Sequence, residues 1–189
     1  GRNETKFEDR KEKAHATFVP YSSTATMQKD DYFKFPWLTP KRANYLLLNG
    51  KWKFHYTADW KQGKPEKDDF WADNADVSSW KELQVPLNWE MAGYDVPVYN
   101  NGHPFENKPP FITAFKDNFD KNPVGSYRRN FNLPEGWETG KRVFLHFDGA
   151  CSAIVVWVNG KYAGYSQGAN TDADFDVTNL VRKGDNNVS

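Results

Sequence analysis

Apolar residues recur at every second position in segment after segment of this chain, and no stretch repeats them at helical spacing. Within Leu46 to Thr57, Trp52, Phe54 and Tyr56 alternate with Lys51, Lys53, His55 and Thr57. Period two with one apolar face predicts a half-buried antiparallel strand. Tyr127, Arg129, Phe131 and Leu133 alternate in the same way with Arg128, Asn130 and Asn132, and Val143, Leu145 and Phe147 with Phe144 and His146. Ala153 to Val158, AIVVWV, is apolar throughout, which predicts a strand covered on both faces. Asn159-Gly160 follows it and leads into KYAGYSQ; an Asn-Gly pair between two such runs predicts a hairpin, because both central residues need positive φ. Shorter strands are expected at Lys81 to Val85, after a turn at Asp76–Ser79 with Trp80 as an aromatic plug, and at Phe175 to Val177. Asn179 to Val181 suits one helical turn. Strands divided by turn residues, without an amphipathic helix, make the chain all-β, an antiparallel sandwich.

Charge and cysteine content narrow the function classes. Lys and Arg number 25, as do Asp and Glu, so the electrostatic footprint of a nucleic-acid binder is missing. Eight tryptophans among many polar residues predict a core of aromatic and β-branched side chains under a polar surface. Cys151 is the one cysteine, which leaves no disulfide within the chain and no thiolate zinc site. With no histidine near it in sequence, it is expected as a small buried hydrophobe. No apolar run approaches membrane-spanning length. Residues 1 to about 14 are charged and lack an apolar face, so a solvated tail is expected there. HATFVPYSS and DDYFKFPWLTP mix aromatics with prolines, so residues 1–40 are expected to form an extended arm and 41–189 the sandwich. The last residues, Asn187-Val188-Ser189, stand at the start of a further strand, which predicts that the natural protein continues.

Val85 to Phe111 fits none of these patterns. It holds five prolines and no periodicity. A long irregular segment inside a compact domain is either disordered or functional. Its many apolar residues, from Leu87 and Trp89 to Phe105 and Phe111, argue against disorder. A packed loop of fixed shape at one end of the sandwich is expected.

LNGKWKF (48–54), SWKELQVPLNWEMAGYDVPVY (79–99), NPVGSYRRNF (122–131), HFDGACSAIVVWVNGKYAGYSQG (146–168) and DFDVTNLVRKGDNN (174–187) resemble the amino-terminal sugar-binding domain of family-2 glycoside hydrolases, above all the large bacterial β-galactosidases. The resemblance implies a jelly-roll β-sandwich of the galactose-binding type. It also implies a following immunoglobulin-like domain and a catalytic barrel carrying both catalytic glutamates, neither present here. The partners it implies are a galactoside, bound through the full enzyme, and the downstream domains, in a homo-oligomer. Neither nucleic acid nor membrane is expected as a partner. No cofactor is expected in this chain; the parent enzyme's Mg2+ and Na+ would be held by residues outside it.

A retaining glycosidase holds two carboxyl groups about 5–5.5 Å apart. Asp68-Asp69 sits in a polar, solvated stretch. Asp172, Asp174 and Asp176 alternate like the start of a calcium loop, but Val177 and Lys183 stand where that loop needs Gly and Glu, so a turn entering a strand is expected. No catalytic pair is assigned. His15, His55, His103 and His146 lack metal-ligand spacing. Trp89, Trp157 and Tyr165 are expected to pack instead of serving as sugar platforms, and Gln167 is a polar residue open to a cation or subunit contact. Asn101-Gly102 reads as a turn. The resemblance instead implies that Asn101 reaches the active site and contacts galactosyl hydroxyls, for which an amide offers donors and an acceptor, while Tyr99 helps shape the loop. Gly102-His103 departs from the branched residue usual there. The alternative function is a stand-alone carbohydrate-binding module.

Overall fold

The computed structural model describes residues 5–59, 69–95 and 123–189. They divide into two compact units, one formed by Gly1–Glu12 with Gly50–Ser189 and the other by Lys13–Asn49.

The larger unit is all-β, as expected. Its strands are β1 (Glu8–Asp9), β2 (Gly50–Thr57), β3 (Lys81–Val85), β4 (Val124–Leu133), β5 (Phe144–Phe147), β6 (Ala153–Val158), β7 (Lys161–Gln167), β8 (Ala173–Asp176) and β9 (Gly184–Val188). Seven form one sheet in the order β1-β7-β6-β9-β4-β2-β3, and β5 pairs with β8 in a second. The sheets meet where Phe175 of β8, fully buried, lies on Gly164 of β7; a Cβ at Gly164 would overlap that ring. Phe54, Val156, Val158 and Val188 are almost fully buried, and burying each such side chain contributes about 1.5–3 kcal/mol.

The hairpin between β6 and β7 turns through Asn159 at φ 50° and Gly160 at φ 75°. Gly160 has a second reason to be glycine: a Cβ there would lie 2.9 Å from the Asp73 backbone nitrogen. Asn159 also turns its side chain inward. Its Nδ2 donates to the Leu180 carbonyl at 2.9 Å and to Asn186 Oδ1 at 2.7 Å, while its Oδ1 accepts from the Asn187 N–H at 2.9 Å. Asn186 has no exposed surface; it accepts also from Arg182 N–H and donates to the Arg182 and Gly184 carbonyls. Every donor and lone pair of that amide is therefore occupied, as burial requires.

Four expectations need correction. The charged amino terminus is not a solvated tail. Glu8 and Asp9 pair with Ser166 and Tyr165 of β7, Lys11 bridges to Phe175, and the Tyr162 hydroxyl donates to Asp9 at 2.9 Å. Charged residues suit this place because an outermost strand needs one paired edge and a polar outer face. Cys151 is exposed, since it falls in the β5–β6 connection and not on a strand. The apolar run of β6 is not covered throughout on both faces: Val156 and Val158 are buried, whereas Val155 is 41% exposed. Finally, residues 13–49 are not simply extended. They carry two short helices, α1 (Thr24–Gln28) and α2 (Asp31–Lys34), capped by Ser23 and Asp30, whose side-chain oxygens accept from the Thr26 and Tyr32 N–H groups. Asp30 Oδ2 also accepts from the Lys41 and Arg42 N–H groups. Burial raises its pKa, but these donors outweigh that and hold the carboxyl below its ordinary value.

Candidate functional site

Residues 85–95, the described part of the Val85–Phe111 segment, leave β3 through an aromatic clamp. Asn88 opens a 3-10 turn, Trp89–Ala92, that ends at Gly93 with φ 85°. This left-handed residue lets the Gly93 N–H reach the Glu90 carbonyl and turns the chain back, so that the Tyr94 N–H donates to the Trp89 carbonyl. The turn presses Trp89 against Tyr56 and Phe54 of β2, with ring centroids 5.7 and 6.5 Å apart. Tyr94 meets Phe54 edge-on at 5.0 Å. Gly125 of β4 makes room: a Cβ there would lie 2.8 Å from the Trp89 indole and 2.9 Å from the Phe54 ring. The Tyr56 hydroxyl donates to Asp95 Oδ2 at 2.7 Å, which pins the chain as it departs. Burial and then that carboxylate push the Tyr56 phenol well up from its ordinary value. Burial, with Glu90 adding to it, pushes Tyr127 to about 12. Both phenols stay protonated at neutral pH; Tyr56 donates to Asp95, and Tyr127 packs on Phe54 with ring centroids 4.8 Å apart.

Tyr99 and Asn101, the residues assigned to substrate, lie outside the described residues, as does the loop beyond Asp95. Trp89 supports the base of the loop from behind, as expected. Trp157 stacks on Trp71 at 4.8 Å with planes 14° apart. The Tyr165 hydroxyl donates to Gln167 Oε1 at 2.8 Å.

One histidine, His146, comes together with acidic residues in a way that sequence spacing conceals. His146 and Asp174 are direct cross-strand partners on β5 and β8. His146 Nδ1 lies 2.9 Å from Asp174 Oδ1, and Nε2 lies 3.1 Å from Asp148 Oδ1. Burial lowers the imidazole pKa, but the two carboxylates outweigh it and hold the pKa above the ordinary value. Asp172 joins the group, with potential ligand atoms all within 4.8 Å of one another. Asp176 is taken up otherwise: it accepts from the Thr178 N–H and from Arg142.

Two features escaped the sequence reading. Arg128 alternates in β4 as a surface residue would, yet is only 5% exposed. Its guanidinium donates to the carbonyls of Phe70, Ala72 and Asp73 at 2.8–2.9 Å, and to Ser189 Oγ at 3.3 Å. Asp73 itself pairs with both Arg182 guanidinium nitrogens and accepts from Asn187 Nδ2. The Arg182 bond, chiefly, holds its carboxyl below the ordinary value. The second feature is a cavity of about 320 Å3 whose wall this clamp fixes, between residues 69–80 and His55 of β2. No local motif announces it; the only signal was Trp80, placed as a plug after a turn.

The described residues define an all-β domain, an antiparallel sandwich whose aromatic cluster of Phe54, Tyr56, Trp89 and Tyr94 holds the chain that follows β3. The solved structure of a β-glucuronidase from an uncultured Clostridium species shares the fold, with a TM-score of 0.52 at 23% identity; the match covers 75% of this chain and 20% of that one. Residues 46–189 match the glycosyl hydrolases family 2 sugar binding domain, and the chain belongs to that family. A β-galactosidase of Psychromonas ingrahamii is 40% identical over 146 residues, 76% of this chain. One from Priestia megaterium is 33% identical over 188 residues, 97% of this chain. The chain spans only 13% and 17% of the lengths of these two relatives.

Proposed function

We propose that this domain serves a β-galactosidase, contributing one wall of the substrate cleft through the Val85–Phe111 loop, while the catalytic acids lie in domains beyond this chain. The similarity to β-galactosidases over 76% and 97% of the chain carries this reading. The aromatic clamp at the loop's base supports it, because a loop that contacts substrate must leave its scaffold in one fixed direction. Asn101 is the substrate contact: its amide donates to and accepts from vicinal hydroxyls of a galactosyl unit. Tyr99 shapes the loop around it. Such a contact accelerates turnover by orienting a remote part of the substrate. Any Mg2+ or Na+ of the whole enzyme is assigned to residues outside this chain, and the full protein is assigned a homo-oligomeric state.

The test is Asn101→Ala in the full-length enzyme. Losing two hydrogen bonds to substrate predicts a fall in kcat/KM of about 10- to 100-fold, with thermal stability unchanged. An unchanged kcat/KM rules the contact out.

A further inference from the structure

The outer face of the two-stranded sheet carries a group of side chains that the loop and its clamp do not involve. We propose that His146, Asp172 and Asp174 bind Zn2+, and that the ion ties β5 to β8. The strands dictate the placement. Ala173 and Phe175 are buried, so the alternation of β8 turns Asp172 and Asp174 to the opposite, outer face. The register sets His146 directly across from Asp174. One imidazole nitrogen and two carboxylate oxygens thereby converge, all within 4.8 Å of one another. Two ligands of one Zn2+, each about 2.0–2.2 Å from it, lie at most about 4.4 Å apart, so small side-chain rotations close the set.

Two further observations separate this group from an ordinary acidic patch. The first is the far side of the imidazole. Nδ1 faces Asp174 Oδ1 at 2.9 Å, and Nε2 lies 3.1 Å from Asp148 Oδ1. Asp148 is not one of the three converging residues. A metal-ligating histidine donates its other N–H to just such a carboxylate, which fixes the tautomer and leaves the opposite lone pair for the ion. With the proton on Nε2, the Nδ1 lone pair faces Asp174.

The second observation is how the carboxylates are matched. Asp176, on the same face, is met by Arg142 at 2.8 Å. The Asp172 carboxylate, among the described residues, has no hydrogen-bond donor and no lysine or arginine beside it. A bound ion takes the place of the Nδ1 proton and supplies the charge that Asp172 lacks. The donor set selects the ion. Mg2+ and Ca2+ take six oxygens or more and gain little from an imidazole, whereas one nitrogen, two carboxylate oxygens and a water complete a tetrahedral Zn2+. This site is distinct from any Mg2+ or Na+ of the whole enzyme, and it departs from the expectation that the chain holds no cofactor of its own.

The test is a titration of the 189-residue chain with ZnCl2 at about pH 7.5, where the imidazole can give up its proton, read by calorimetry and by NMR of 15N-labelled histidine side chains. One Zn2+ per chain is expected, saturating below about 100 µM. The His146 Nδ1 resonance should move to that of a metal-bound nitrogen while Nε2 keeps its proton. At free Zn2+ about 100-fold above Kd, Tm should rise by about 5–10 °C. Asp172→Asn and Asp148→Asn should each weaken binding about tenfold or more. Asp176→Asn, on the same face but paired with Arg142, should leave the affinity unchanged. MgCl2 or CaCl2 at the same concentration should not move the His146 nitrogens. No saturable shift at His146, binding only at His15, His55 or His103, an equal response to Ca2+, or full affinity in Asp172→Asn would each overturn the proposal.

Discussion

Replacing Arg128 with Met removes the guanidinium while keeping much of the volume of the buried stem. Three backbone carbonyls then lose their donor: Phe70, Ala72 and Asp73, now bonded at 2.8–2.9 Å. A hydrogen bond from a charged donor contributes about 1.5–3 kcal/mol, and the lower figure applies because water can reach this half-buried segment. Three bonds sum to about 4.5 kcal/mol at that figure. Against this stands the relief of no longer desolvating a charge, together with the packing of an apolar stem, about 1–2 kcal/mol. The net loss expected is about 3 kcal/mol. Native-state hydrogen exchange at β4 and β9 amides reads the unfolding free energy of this unit alone. For a chain of this length the same loss lowers Tm by about 9 °C. Residues 69–75 should also exchange faster than the rest of the unit, because their anchor is gone. Arg128→Lys should recover less than half, since one ammonium cannot span three carbonyls in the fork geometry of a guanidinium. A loss below about 1 kcal/mol with unchanged exchange at 69–75 would refute the clamp.

Three further outcomes are expected. Asn159→Gly keeps the left-handed turn but forfeits three buried hydrogen bonds, so it should destabilise by about 2–3 kcal/mol in denaturant titration; a neutral result would make the turn geometry the whole role of Asn159. Gly125→Ala drives a methyl into Trp89 and Phe54 and should cost about 1–3 kcal/mol, with a changed tryptophan emission from the loop base; unchanged emission and stability would deny the close approach. His146 should titrate above the ordinary histidine value by NMR, and Asp174→Asn should bring it down. The sign follows from a folded pKa that is raised: this contribution to stability is fully present below the unfolded pKa of about 6.5 and is lost as pH rises through the folded pKa. A midpoint at or below the ordinary value would remove the ion-pair assignment.

What could be read from the chain, and what could not, divides along one physical line. Apolar periodicity and turn chemistry are local, so β2, β5 and the Asn159-Gly160 hairpin were legible. Their strands pair in register, with Phe54 opposite Tyr127 and Leu145 opposite Phe175. The family motifs extended that reading to the sandwich as a whole; the assignment of Asn101 lies outside the described residues. Several of the errors concern polar or charged residues whose partners are distant in sequence. Arg128 looked like a surface residue because its acceptors lie 55–58 residues away. The amino-terminal charges looked like a tail because Tyr162 is 153 residues from Asp9. The apolar β6 run erred in the opposite sense, as periodicity cannot say how many faces are covered.

This division bears on where specificity resides in the domain. The apolar core of Phe54, Phe175, Val156, Val158 and Val188 suits many sandwiches and tolerates repacking. The polar clamps do not, because each has one geometry: Arg128 over three carbonyls, Asn186 with all four positions filled, Tyr56 on Asp95. Each fixes a segment that has no regular hydrogen-bond ladder, namely the cavity wall at 69–76, the turn at 180–183 and the chain at Asp95. The ladders hold the strands, and the buried polar side chains aim the irregular segments. A substitution in the apolar core should therefore lower stability while leaving the cavity shape intact. A substitution at Arg128 should loosen residues 69–76 even at temperatures where the sheet remains folded. If the Arg128→Met chain kept wild-type hydrogen-exchange protection at its 69–75 amides, the cavity wall would owe its form to something other than this clamp.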